Sequence, residues 1–331
     1  MNSQYYYGHG KLLLTGEYFV LDGAHSLALP TKMGQKMNVT YKRSSSPKLF
    51  WKGVDVNNEV WFQCTFELWH FNIVENDSEA AVILQKILRQ ARKQNIHFLR
   101  DEMDVYVETS LEFPLEWGLG SSSTLLYNIA QWAYISPFEL QDKTFDGSGY
   151  DIACAQSMGP IIYSKTSKGP TWKSVSFSPL FKENLYFVYL NQKQNSRKAI
   201  AHYNSMNIEN KHEIIKKLNV ITKNIHESID LKEFEDCLYE HETIISQALD
   251  LPRVKDTHFA NYWGAVKSLG AWGGDFVLVT SDRSIEETRK YFMESGFPTI
   301  LTYEDMITEN FDFDNFMKNN KEANNHAQAT Q

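Results

Sequence analysis

Cysteine is scarce in this 331-residue chain: Cys64, Cys154 and Cys237 are the only three, and none lies in a CxxC pair. That spacing argues against a disulfide framework or a zinc ribbon and predicts reduced thiols in a cytoplasmic setting. Long apolar runs are lacking too. No stretch approaches the ~18 residues that a membrane span needs. The opening MNSQYYYGHGKLLLTGEYFV has no basic segment leading into an uninterrupted apolar one, so no signal peptide is expected. Positive charge is in deficit: 33 Lys and Arg against 41 Asp and Glu leave a net charge of -8. Binding nucleic acid is thereby disfavoured as the main business, although a local basic pocket remains compatible. No internal repeat is visible. The G-x-x-x-x-G-K-[ST] phosphate loop is absent, Ser123 stands where the third glycine of a dinucleotide fingerprint belongs, and the HRD and DFG signatures of protein kinases are missing.

What is present is an ordinary globular composition, 42% hydrophobic and 22% charged, with an aromatic fraction of 14% that suggests well-filled cores. The length suits one large or two medium domains. KLLLTGEYFVL reads as two short strands around Gly16. KMNVTYK, KLFWK and EVWFQCTFELW read as further strands. The period then changes: Ala81, Leu84, Ile87, Leu88 and Ala91 recur at helical spacing behind Ser78, a candidate N-cap. MDVYVETS is a strand with Met103, Val105 and Val107 on one face. A helix carrying Leu125, Ile129 and Ala133 follows, and only one full helix fits before Asp151. LYFVYLN reads as a buried strand, residues 208–227 and 232–249 as long helices, and DFVLVT, SIEETRKYFMESG and PTILTY as strand, helix, strand. The Ser-, Pro- and Lys-rich TSKGPTWKSVSFSPLFKEN places a boundary near residue 180. Domains are therefore expected at 1–180 and 181–315, followed by a polar tail at 316–331.

Four glycine-containing stretches carry the functional signal. In EWGLGSSSTLLYNIAQWAYI, Gly118 and Gly120 permit unusual backbone angles and close approach of a ligand. Ser121, Ser122 and Ser123 add hydroxyls at a helix start, where unpaired N–H groups and partial positive charge form an anion cradle. Taken alone, the loop is equally an ordinary glycine turn with a serine cap. Lys11, behind the glycines of GHGK, is either an edge residue or a point charge for phosphate. Asp151, after Gly-Ser-Gly, is a helix cap or a functional carboxylate. SLGAWGGDFVLVT is a tight turn before a strand.

In order and character this series resembles the GHMP kinases, from about residue 8 to about residue 303. The most specific part is Pro114 followed by Gly118-Leu119-Gly120-Ser121-Ser122. The resemblance implies an α+β fold, with a ribosomal-protein-S5-like N-terminal (ATP-binding) domain, a ferredoxin-like C-terminal domain and the active site between them. It implies ATP and Mg2+, a phosphate loop at Pro114 and 118–123, and a third motif at Gly270, Gly273 and Gly274 closing the floor. By match to the motifs, Asp151 is the base, Lys11 its partner, and Ser122 approaches Mg2+. A second metal ligand falls on Glu139, with Asp142 as an alternative. Glu17, His25, Ser148 and Arg197 are candidates to line the acceptor pocket, and Lys193 and Lys198 add positive charge. GEY at 16–18 and GGD at 273–275 lean toward the phosphomevalonate kinases. The acceptor is expected to be a small molecule, phosphomevalonate or mevalonate in isoprenoid-precursor synthesis, without nucleic acid or membrane as partner. A homodimer is compatible with the resemblance. A diphosphomevalonate decarboxylase, a non-catalytic sensor on the same fold and a glycine-rich structural protein are the rival readings.

Overall fold

The computed structural model describes residues 3–145 and 147–309. The polar tail expected at 316–331 lies outside them. The chain begins with β1 (Ser3–Leu13), β2 (Ser26–Arg43), β3 (Lys48–Val54), β4 (Val60–Glu67) and β5 (Ile73–Glu75). Helix α1 (Glu79–Gln94), β6 (Met103–Leu111), helices α2 (Ser121–Ala133), α3 (Pro137–Thr144) and α4 (Tyr150–Gln156), and the hairpin β7 (Ile161–Thr166) and β8 (Gly169–Ser174) follow. The second part runs β9 (Leu185–Tyr189), α5 (Ser196–Ser205), α6 (Lys211–Glu227), α7 (Leu231–Leu249), α8 (Val254–His258), β10 (Val266–Ser268), β11 (Phe276–Thr280), α9 (Ile285–Glu294), β12 (Ile300–Thr302) and α10 (Tyr303–Met306).

Two sheets result. The larger has eight strands in the order β5-β4-β3-β6-β2-β7-β8, with β1 also paired to β2. Strand β2 is long enough to serve three partners: β1 along most of its length, β6 through its C-terminal half and β7 at its start. The smaller sheet is antiparallel in the order β10-β11-β9-β12. With helices between its first two and its last two strands, that is the ferredoxin-like pattern.

Alternation along the small sheet explains why LYFVY and FVLVT are buried throughout. Leu185, Phe187, Tyr189, Phe276 and Leu278 face the large sheet and meet Leu12, Leu14, Leu27, Leu111 and Phe113 there. Tyr186, Val188, Val277 and Val279 face the opposite way, onto Val254 and Phe292 of α8 and α9. A strand covered on both faces reads as a continuous apolar run. A separate core packs Val105 and Val107 of β6 against Leu84, Ile87 and Leu88 of α1 and Leu126 and Ile129 of α2. The Ser78 hydroxyl accepts the Ala81 N–H and caps α1, as expected from the sequence.

Three local expectations are corrected. EYFVL is no strand: Phe19–Asp22 is a short 3-10 turn closed by Gly23 at φ 94°. Residues 169–174, read as part of an irregular boundary, are strand β8, whose polar side chains face solvent and so lack the apolar signal of a buried strand. Between α2 and Asp151 the chain also fits α3, a helix capped by Ser136 and opened by Pro137.

Candidate active site

The phosphate-loop candidate is built by backbone angles that only glycine adopts without strain. Gly118 has φ +67°, and a Cβ there would sit 2.3 Å from the Asp275 carboxyl carbon. Gly120 has φ +91° and lies against the aliphatic stem of Lys11, where a Cβ would come within 3.1 Å of Cγ. Leu119 between them is fully buried, and its carbonyl accepts the Lys11 N–H at 2.9 Å, pinning the loop to β1. Helix α2 then starts with Gly120 as its N-cap and no side chain bonded to its first N–H groups. A 13-residue helix thus points an uncapped positive end at the cleft. Gly118→Ala is expected to cost about 1–3 kcal/mol through the positive φ and to displace Asp275. Thermal denaturation checks the first effect and nucleotide affinity the second.

One cleft collects most of the sequence-derived candidates. Lys11, Gly118, Gly120, Ser121, Ser122, Ser123, Ser148, Asp151, Arg197 and Gly270 all line it. Asp151 stands in the first turn of α4, behind Gly149 at φ 92°. Its carboxylate accepts from the Ser123 hydroxyl and from Gln141 Nε2, the latter at 3.2 and 3.5 Å. Lys11 faces the same cleft and makes no ion pair with Asp151 within 4 Å among the described residues; its ammonium lies 5.8 Å from the Tyr150 ring centre. Burial works against its charge, yet Tyr150, Asp275 and Asp151 together outweigh that and hold the Lys11 pKa above its ordinary value. Burial pushes Tyr150 up to about 12, against the pull of Lys11, so its phenol stays protonated.

Other candidates fall elsewhere. Gly273 and Gly274 do not line the cleft; Gly274 passes so close to Gln192 that a Cβ would meet its carbonyl oxygen at 2.6 Å. Pro114 opens the 3-10 turn Leu115–Trp117 and is likewise off the cleft wall. His25 is exposed, with its backbone N–H on Asn219 Oδ1 at 2.7 Å, and does not line the cleft. Lys198 is exposed and outside it as well. Lys193 does line it, its ammonium on the Leu115 carbonyl at 2.6 Å, and Arg197 stacks 4.5 Å from the centre of the Phe145 ring.

Two of the expected site residues stand away from the cleft. Glu139 is exposed on α3 and absent from the cleft. Two helical residues further on the side chain points the other way, and there Gln141 reaches Asp151. Asp142, the alternative, is exposed and also outside the cleft. Glu17 is completely buried and does not line the cleft. It sits among Lys267, Glu242 and His241, all 2% exposed or less. Among the described residues no three His, Cys, Asp or Glu side chains gather as a metal cluster. The Ser122 hydroxyl is nevertheless a hard oxygen donor of the kind Mg2+ accepts when phosphates and water complete its shell.

The sequence reading missed Gln141, Tyr150 and Asp275, all of which line the cleft. Asp275 was visible as the last letter of GGD. It adopts φ 53°, and its carboxylate takes the Gln194 N–H at 3.0 Å. Burial raises its pKa, with Lys11 opposing. Tyr150 adjoins Asp151, which was signal enough. Nothing in the sequence marked Gln141.

The buried cluster around Glu17 has its own pH signature. Burial pushes the Glu17 carboxyl up to about 7 against the opposing pull of Lys267, with Glu242 adding to the rise. His241 faces it as well and is held neutral, well below its ordinary value, by burial and by Lys267. The folded chain therefore binds this proton more tightly than the unfolded chain, whose value is 4.5. Folded-state stability from this group is lost as pH climbs from about 4.5 to about 7. Glu17→Gln removes that titration. The melting temperature of the variant minus that of wild type is expected to grow between pH 5 and pH 8; a difference independent of pH would refute the assignment.

No protein-family model and no curated protein sequence matches the chain. Solved structures do. The mevalonate kinase of Methanococcus jannaschii shares 16% identity over 93% of this chain and 98% of its own, at TM-score 0.65. The phosphomevalonate kinase of Streptococcus pneumoniae shares 13% over 90% and 99%, at 0.66. The galactokinase of Lactococcus lactis shares 12% over 93% and 94%, at 0.64. With its large mixed sheet, its ferredoxin-like second sheet and structural neighbours of this kind along nearly its whole length, the chain has the GHMP kinase fold.

Proposed function

We propose that the chain is an ATP-dependent small-molecule kinase whose acceptor is a mevalonate-type acid, phosphomevalonate or mevalonate. One observation carries this: Lys11, Ser122, Ser123 and Asp151 converge on the uncapped N-terminus of α2 in a single cleft. Phosphoryl transfer asks chiefly for alignment and charge neutralisation, and these residues supply both. The α2 amides and serine hydroxyls take the β- and γ-phosphate oxygens. Lys11, kept protonated, faces the charge that develops on the γ-phosphoryl group. Mg2+ entering with the nucleotide would be held by Ser122 together with the phosphates and would neutralise phosphate charge.

Asp151, oriented by Ser123 and Gln141, takes the proton from an acceptor hydroxyl as the new O–P bond forms and the bond to the bridging oxygen of ADP breaks. With phosphomevalonate the same carboxylate orients a protonated phosphate oxygen, so loss of Asp151 costs a hydroxyl acceptor more. Lys193 and Arg197 at the cleft favour an anionic acceptor. The Streptococcus pneumoniae neighbour was solved with phosphomevalonate and AMPPNP, which agrees with that choice. The free thiols and the lack of any described helix long and apolar enough to cross a membrane suit a cytoplasmic enzyme. Incubating the purified protein with ATP, Mg2+ and a panel of acids, sugars and amino-alcohols, and following products by mass, tests the proposal. A gain of one phosphoryl group on a mevalonate-type acid supports it. CO2 release points to the decarboxylase, and no turnover on any acceptor counts against the enzyme.

A further inference from the structure

The buried cluster beside the cleft contains more ionisable groups than packing requires. Glu17, His241 and Lys267 are 0% exposed and Glu242 is 2% exposed. The Lys267 ammonium has three N–H donors and three acceptors within reach: Glu17 Oε1, Glu242 Oε1 at 3.3 Å and the Ser268 carbonyl at 2.6 Å. Glu242 in turn receives the Ser268 N–H at 3.2 Å and the Ser268 hydroxyl at 3.3 Å. His241 Nε2 accepts the Gly16 N–H at 2.9 Å. Replacing such a buried ionic group by well-packed hydrophobic residues of similar volume is often neutral or stabilising, so stability alone does not explain it.

Its position does. Glu17 immediately precedes Tyr18, and Lys267 and Ser268 stand just before Gly270; Tyr18, Gly270 and Ala271 all line the cleft. Tyr18 is held at φ 63° and ψ -50°, a backbone conformation that tyrosine rarely adopts. Its hydroxyl accepts the Trp272 N–H at 3.2 Å, a second tie between the same two segments. Hydrogen bonds to a charged, three-donor hub are directional in a way that apolar packing is not.

We propose that Glu17, Lys267 and Glu242 are positioning residues, a joint that ties the Tyr18 segment to the Gly270 segment and so holds the part of the cleft lining these two segments share in the place that ligand meets. The site's being a nucleotide cleft rests on the kinase proposal above; the joint itself is a property of the unliganded protein.

The test uses the full chain with three substitutions of similar volume, Glu17→Gln, Glu242→Gln and Lys267→Met, made together. The expected product is folded, and its far-UV circular dichroism and cooperative melting check that the fold is kept. Without nucleotide, its amide hydrogen exchange should accelerate in both 16–22 and 268–275. With Mg·ATP as probe, its Kd should rise at least ~10-fold, a readout that a purely structural cluster would leave unmoved once the fold is kept. Unchanged exchange in both segments, or wild-type Mg·ATP affinity, overturns the joint. If the triple variant fails to fold, Glu17→Asp and Glu17→Gln decide. The shorter Asp arm should speed exchange in both segments and weaken Mg·ATP at least ~10-fold, while the isosteric Gln stays within a few-fold of wild type. Equal behaviour of Asp and wild type overturns the joint. Failure of wild type itself to bind Mg·ATP would strike the kinase proposal instead, with the exchange data still deciding the joint.

Discussion

Asp151→Asn is expected to lose at least ~100-fold in kcat on a hydroxyl acceptor while keeping most of its affinity for Mg·ATP. The substitution preserves shape and keeps one oxygen that can accept from Ser123 and Gln141, so the walls of the cleft stay in place. What it removes is the capacity to receive a proton. General-base assistance is typically worth about 10²–10⁴-fold, and the loss should appear in kcat more than in KM. Steady-state kinetics on the acceptor found by the product screen decides the matter. Unchanged turnover would take Asp151 out of the chemistry and leave it as a bonded residue at the start of α4.

Lys11→Met should be comparably damaging. Met keeps much of the aliphatic stem that packs on Gly120 and discards only the ammonium. In the cleft that ammonium is the charge shared by Tyr150, Asp275 and Asp151, and it stays protonated because their attraction outweighs burial. Losing one preorganised charge aimed at a developing anion costs about 10²–10³-fold in kcat. The melting temperature should move little, since the neutral side chain no longer has to be desolvated as a cation. A variant that mainly lost thermal stability and kept its turnover would identify Lys11 as an edge residue of β1.

Residues whose role is local were legible from the sequence. Gly118 and Gly120 announce a special backbone, the serines behind them announce a helix start, and in the fold both stand at the cleft. The strands of the small sheet were visible because both their faces are covered, which leaves unbroken apolar runs. Residues whose role depends on distant partners were not legible. Gln141 is an ordinary polar letter on a short helix until α4 brings Asp151 against it. Glu17 sat inside a motif and invited a place in the acceptor pocket. Its partners, Lys267 and Glu242, lie more than two hundred residues away, and burial among them turned a candidate ligand into part of the frame. Glu139 and Gln141 part for a geometric reason: they stand two residues apart on α3, and a helix presents one residue to the cleft and turns its near neighbour to solvent.

The most direct test concerns the amides at the start of α2. Hydrogen exchange across residues 118–125, followed with and without Mg·ATP, reports whether these groups receive the triphosphate. Marked slowing in that segment, saturating with nucleotide, is the expected result. Exchange there that is indifferent to millimolar Mg·ATP would contradict the assignment of this loop as a phosphate cradle, and with it the kinase proposal.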